Sequence, residues 1–180
     1  VGLVLSRDLG ISFDLLLVRK MQIPWNTEAG FGAVTFRGEP LINHSLVKSL
    51  GLSEEQIREQ TEATLQELEK RNSAFRKGAP LPEVTEKTVI LTDDGLASGY
   101  TMLAAMKTVR QQGAEKVVLA LPTAPRRSVE HVGRFADEIY AVQIKDGFSF
   151  AVAEAYRNWR DLSRDEVVEM LQSSAEQGSS

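Results

Sequence analysis

Apolar and polar residues change period several times along the chain, and each change marks an element. Val1 to Leu9 is apolar with Arg7-Asp8 near its end and Gly10 after it, the pattern of the back half of a helix closed by glycine. Phe13 to Val18 (FDLLLV) is an apolar run that predicts a strand buried on both faces, ended by Arg19-Lys20. Residues 21–40, with Pro24, Asn26, Gly30, Gly32, Gly38 and Pro40, read as loop, with a short strand around Gly32 to Phe36. A short helix is expected from Asn43 to Leu50-Gly51. Ser53-Glu54-Glu55-Gln56 is a capping box that opens a long polar helix to about Phe75. Its sparse apolar positions, Ile57, Leu65 and Leu68, predict a narrow buried stripe.

After a connector from Lys77 to Glu86 the alternation becomes regular. Strands are expected at Thr88–Thr92, Lys116–Leu121 and Glu138–Ile144, with helices at Thr101–Gln112 and Ser128–Phe135 between them. A second capping box, Ser163 to Glu166, opens a last helix to about Gln172, and the end of the chain is expected to fray. Strands alternating with helices predict an α/β fold, an open, mostly parallel twisted sheet with helices on both faces and right-handed crossovers. The expectation is a single domain over residues 1–172 with a tail over 173–180.

Composition narrows the chemistry. The 180 residues carry 25 acidic and 21 basic side chains, a formal charge of −4, with two His and no Cys. The absence of Cys removes disulfides, thiolate zinc sites and a Cys nucleophile. Mild acidity argues against a nucleic-acid binder, and no apolar run reaches the ~20 residues of a membrane helix. A cytoplasmic protein is expected.

The segment richest in chemistry is Val89-Ile90-Leu91-Thr92-Asp93-Asp94-Gly95-Leu96-Ala97-Ser98-Gly99-Tyr100-Thr101. A buried strand ends in two carboxylates, a turn of small residues follows, and a helix starts. Ligands of open α/β sheets bind outside the carboxyl ends of strands. Successive amides in the turn and at the helix start suit a phosphate, and Ser98 and Thr101 add hydroxyls. A tight turn with an N-capping Asp would account for one acid and the glycines, but not for two acids followed by Ser98-Gly99-Tyr100-Thr101. A sugar phosphate meets both demands, with phosphate in the turn and ribose hydroxyls on the acids.

This strand, acid pair and Gly-x-x-Ser-Gly-x-Thr turn resembles the phosphoribosyl pyrophosphate signature of type I phosphoribosyltransferases. Looser likeness extends over the rest of the chain, to a prokaryotic branch of that family with poorly defined substrates. The resemblance implies that Asp93 and Asp94 hold the ribose hydroxyls and that Gly95, Ala97, Ser98, Gly99, Tyr100 and Thr101 form the 5′-phosphate loop. It places Lys20, after the earlier strand, near the pyrophosphate. It implies Mg²⁺ held mainly by substrate oxygens, with Asp93 and Asp94 as its nearest protein groups, and Mg²⁺ suits such a site because it keeps waters and prefers phosphates. The expected reaction is phosphoribosyl transfer from phosphoribosyl pyrophosphate to a small nitrogenous acceptor, a nucleobase or a relative of one. The alternative is a non-catalytic regulator of the same fold that senses this ligand or a nucleotide. The expected partners are these small molecules and a second copy of the chain, with no nucleic acid and no membrane. On the resembling fold Val1 falls inside the first helix, so an opening strand and a pyrophosphate loop are expected ahead of it. The Gly-rich 24–40 segment is the expected water-excluding loop.

Other signals are weaker. Gly30-Phe31-Gly32 is followed by Thr35 where a dinucleotide fingerprint needs Gly. His44 and His131 have no Ser or acid at a catalytic spacing and read as surface residues. Arg126-Arg127 fall at a strand–helix junction, on the ligand side or simply solvated. Phe148, Phe150, Tyr156 and Trp159 form the densest aromatic cluster, either core or the wall of an acceptor pocket. A hydrolase using the acid pair lacks its context, because no acid stands two residues beyond Asp93.

Overall fold

The structure, a computed structural model, describes residues 1–36, 38–77, 79–147 and 150–177. Helix α1 (Gly2–Leu9) ends at Gly10 as its sequence predicts. Strands β1 (Val18–Ile23), β2 (Asn26–Thr35) and β3 (Leu41–Ile42) then form an antiparallel sheet in the order β1-β2-β3. Two expectations fail here. Phe13–Leu17 is not a strand, and residues 24–40 are not a loop but contain ten-residue β2 after the exposed turn Pro24-Trp25.

Both failures have physical reasons. The run from Phe13 is apolar because it passes between two cores: Leu16 packs on one and Leu17 on the other. Its backbone is held by single bonds instead of a ladder. Phe36 N–H donates to the Leu17 carbonyl at 2.9 Å, and the buried Arg76 guanidinium donates to the Leu15 carbonyl at 3.0 Å while pairing with Asp14. The glycines of β2 serve close packing, since a Cβ at Gly32 would collide with the Leu41 carbonyl oxygen and the Met21 methyl group. Loop composition thus marks a strand that another strand approaches closely.

Helix α2 (His44–Leu50) is capped by Asn43, and α3 (Glu54–Arg76) opens on the Ser53–Gln56 capping box. These pack on the antiparallel sheet around Met21, Phe31, Val34, Leu52 and Leu68. Strands β4 (Thr88–Thr92), β5 (Lys116–Pro125) and β6 (Glu138–Lys145) form a parallel sheet in that order, with α4 (Tyr100–Gln111) and α5 (Arg126–Val132) as crossovers. Their core gathers Leu96, Met102, Met106, Val117, Leu119, Leu121 and Val132. Strand β5 runs four residues past its expected end at Leu121. Pro122 is tolerated because the β4 ladder has stopped at Ala120 and Pro122 has no partner in the β6 register.

The α/β class and the parallel sheet stand, and the antiparallel sheet is the part that periodicity hid. Helix α4 joins the halves, packing on β4 and also on β1 and β2. A buried hydroxyl pair, Thr35 Oγ1 and Thr108 Oγ1 at 2.6 Å, ties β2 to α4. A single 3-10 turn at Val152–Ala155 and helix α6 (Arg164–Gln177), capped by Ser163 and Glu166, complete the described chain. Among the described residues no helix is long and apolar enough to cross a membrane.

Candidate functional site

The site grows from the carboxyl end of β4. Thr92 is the last ladder residue, paired with Ala120, and the chain then turns through Asp93 to Gly99 before α4 begins. Three bonds from other elements set this turn. Leu96 N–H donates to the Thr123 carbonyl of β5 at 3.0 Å, the buried Ser128 hydroxyl of α5 donates to the Ala97 carbonyl, and the Tyr156 hydroxyl donates to the Asp94 carbonyl. Leu96 anchors the turn in the core at 2% exposure. Val152 of the 3-10 turn lies over Gly95.

Gly99 has φ 86° and ψ −10°, and it caps α4 with no side-chain hydrogen bond. The first amides of a helix have no intrahelical acceptor. Those of α4 are therefore open to a ligand, and no acid stands in its first turn to compete with an anion. A Cβ at Gly99 would lie 2.8 Å from a Val132 methyl. Ala97 and Ser98 are exposed, and Tyr100 and Thr101 are half-buried.

The carboxylates of Asp93 and Asp94 both reach solvent, and Asp94 N–H donates to Asp93 Oδ1 at 2.9 Å. Protein packed around Asp93 raises its pKa above the ordinary value; the Asp94 amide opposes this, and the neighbouring Asp94 charge adds to it. Tyr156 is also raised, first by burial and then by the charges of Asp94 and Asp93, so its hydroxyl keeps the proton that it donates. Its ring lies 5.1 Å from that of Trp159. Two of the aromatic residues thus stand beside the acid pair, Phe150 is half-buried, and Phe148 lies outside the described residues. Two hydroxyls at the strand ends, Thr92 Oγ1 and Thr123 Oγ1, are buried without a partner.

The structure brings Asp93, Asp94, Gly95, Ala97, Ser98, Gly99, Tyr100 and Thr101 into one continuous turn. Lys20 stands in the middle of β1 and not after a strand, paired with Ala33 in the antiparallel sheet. Among the described residues no three His, Cys, Asp or Glu side chains group as a metal site. The adjacent acids still fit Mg²⁺, a hard cation that takes oxygen ligands and accepts most of them from substrate and water.

Sequence reasoning missed Thr123 and Ser128, and named Tyr156 only as part of the aromatic cluster and not as a support of the turn, because these roles arise from contacts 27 to 62 residues away in the chain, of which the hydroxyl bonds span 31 and 62. It also read His131 as surface only. His131 is exposed, but with Ser98, Arg127 and Ser128 it lines a cleft of about 290 Å³ beside the turn.

Comparison with known proteins points to one family. A family model described as a phosphoribosyl transferase domain matches residues 44–157. Two Mycobacterium tuberculosis proteins, of strains CDC 1551 and H37Rv, carry the provisional name phosphoribosyl transferase. Each is 34% identical over 171 residues, 95% of this chain. The chain spans 38% of the length of each of these relatives. A crystal structure of TT1426 from Thermus thermophilus superposes with a TM-score of 0.75 at 30% identity, covering 93% of this chain and 79% of that one.

Proposed function

Because the chain belongs to the phosphoribosyl transferase domain family, we propose that it binds phosphoribosyl pyrophosphate in the Asp93–Thr101 turn and transfers the phosphoribosyl group to a small nitrogenous acceptor. The observation that carries this reading is the turn itself, with an acid pair at a strand end and an uncapped helix start a few residues on. The 5′-phosphate takes the amides of residues 97–101 and the hydroxyls of Ser98 and Thr101. The ribose 2′- and 3′-hydroxyls take Asp93 and Asp94.

In the reaction the bond from the anomeric carbon to pyrophosphate breaks and the pyrophosphate leaves with the electron pair. A bond from acceptor nitrogen to that carbon forms, and the nitrogen gives up a proton. Positive charge grows on the ribose ring as the leaving group departs. Asp93 and Asp94 beneath the ring stabilise that charge electrostatically. Asp93 and Asp94, together with substrate oxygens, would hold Mg²⁺, which would supply neutralisation of the pyrophosphate charge. Tyr156 fixes the Asp94 backbone, and with Trp159 it presents an aromatic wall beside the ribose that suits a flat acceptor such as a nucleobase.

The test is pyrophosphate release from phosphoribosyl pyrophosphate and Mg²⁺ with a panel of nucleobases, alongside binding of ribose 5-phosphate. Release that Asp93→Asn with Asp94→Asn lowers at least a hundredfold, with the fold intact by circular dichroism, supports the reading. Binding without release from any acceptor overturns the transferase claim and leaves a sensor. No binding of either ligand overturns the reading entirely.

A further inference from the structure

The cleft lined by Ser98, Arg127, Ser128 and His131 is not explained by the turn alone. Two of its side chains, Arg127 and His131, come from α5. Two features set Arg127 apart from its neighbour. Arg126 is committed, with Nε 2.6 Å from Asp146 Oδ1. Arg127 is exposed, faces the cleft, and makes no ion pair among the described residues. The hydroxyl of Ser128, which also lines the cleft, is spent on the Ala97 carbonyl, so α5 and the turn hold each other at a fixed separation. Ser98 belongs to both the turn and the cleft. His131 completes the wall, its ring tilted against Tyr100 with centroids 6.2 Å apart.

Resting on the reading above, we propose that this cleft is the outer half of the phosphate site, in which Arg127 and His131 take the 5′-phosphate oxygens that the amides of the turn leave exposed. A phosphate monoester at neutral pH carries close to two negative charges and three acceptor oxygens. An amide cradle supplies partial positive charge but no full counter-charge. Arg127 supplies one, with a planar fork that suits two phosphate oxygens at once. The ligand class is therefore a sugar 5-phosphate, and selectivity over the unphosphorylated sugar resides in α5 as much as in the turn. His131 is a second donor and orients through its contact with Tyr100, the first residue of α4.

The probe is ribose 5-phosphate, with ribose as the comparison, titrated by calorimetry or by ligand-observed magnetic resonance. Arg127→Ala is expected to weaken ribose 5-phosphate at least tenfold, and His131→Gln at least threefold. Arg126→Ala removes the same charge one residue away and is expected to change affinity less than twofold. All three residues are exposed, and unchanged melting temperatures verify the fold. An effect of Arg127→Ala smaller than threefold overturns the proposal. So does an equal loss in Arg126→Ala, which reports the general field of α5 and not a contact. If the unaltered protein binds ribose 5-phosphate and these variants bind it equally well, only this inference fails. If the unaltered protein does not bind it, the phosphoribosyl reading fails with it.

Discussion

Replacement of Gly99 by Ala tests the phosphate turn where its geometry is least forgiving. With φ at 86°, Gly99 sits where a Cβ costs about 1–2 kcal/mol of backbone strain. The added methyl would also meet the Val132 side chain at 2.8 Å, and Val132 is fully buried. Overpacking a filled core costs about 1–3 kcal/mol. The sum is about 2–5 kcal/mol, and for a chain of this size each kcal/mol lowers the melting temperature by roughly 2–4 °C. A fall of about 4–20 °C is expected from these ranges. Binding should suffer separately, because relief of the strain tilts the first amides of α4. Losing one hydrogen bond to a charged group is worth about 1.5–3 kcal/mol, so ribose 5-phosphate should bind about ten- to a hundredfold more weakly. The second substitution Val132→Ala removes the clash but not the strain. The double variant should therefore be more stable than the two single losses predict, by about 1–2 kcal/mol, as expected for residues in contact. A Gly99→Ala protein melting within about 2 °C of the original and binding within twofold would refute both the strained backbone and the amide cradle.

Two further predictions follow from buried and desolvated groups. Asp93 has its pKa raised by desolvation, so ionising it opposes folding: its contribution is fully present at low pH and is lost as pH rises through the raised value. Asp93→Asn should therefore melt higher than the original protein at neutral pH, with the gap closing below about pH 4, while turnover falls; a variant that melts lower at neutral pH contradicts the desolvation. Thr108 Oγ1 donates to the Ala104 carbonyl, which leaves the Thr35 hydroxyl as donor to Thr108. Thr108→Val should cost about 1–3 kcal/mol in urea unfolding because it strands that donor, and adding Thr35→Val should recover part of the loss; simple additivity would remove the hydroxyl pair as a link between β2 and α4.

The parallel half of the fold was legible because each of its elements solves its own local problem. Thr88–Thr92 and Glu138–Lys145 alternate with helices of ordinary length, and Ser53 and Ser163 announce their helices through capping boxes that form as written. The antiparallel sheet was hidden because its sequence answers to partners far along the chain. Gly32 answers to β3, Lys20 to a strand pairing that starts only at Val18, and Leu16 and Leu17 to different cores. The site divides in the same way. Its turn is contiguous, so residue types at fixed spacing reveal it. Its supports, Thr123, Ser128 and Tyr156, act through a carbonyl or a single hydroxyl that many surface or core residues also carry.

The costs at this turn are concentrated where a ligand would bind and are offset next door. Gly99 adopts a backbone few residues tolerate, Asp93 is ionisable and desolvated, and the Thr92 and Thr123 hydroxyls are buried without partners. Each departs from what stability alone favours. Strand β5, immediately beneath, departs in few places: Val117, Val118, Leu119, Leu121 and Ala124 are buried, and the strand is paired on both sides. Local rules broken together in one turn over a well-packed strand are what a binding site produces, because charge and open amides are useful to a ligand only if they stay unsatisfied in its absence. Asn43 and Ser53 cap α2 and α3 with side chains, while α4, like α1 and α5, starts without a side-chain cap. A side-chain cap on α4 would occupy the amides that the proposed 5′-phosphate site uses, and beside the acid pair at the end of β4 the open start is what that proposal requires.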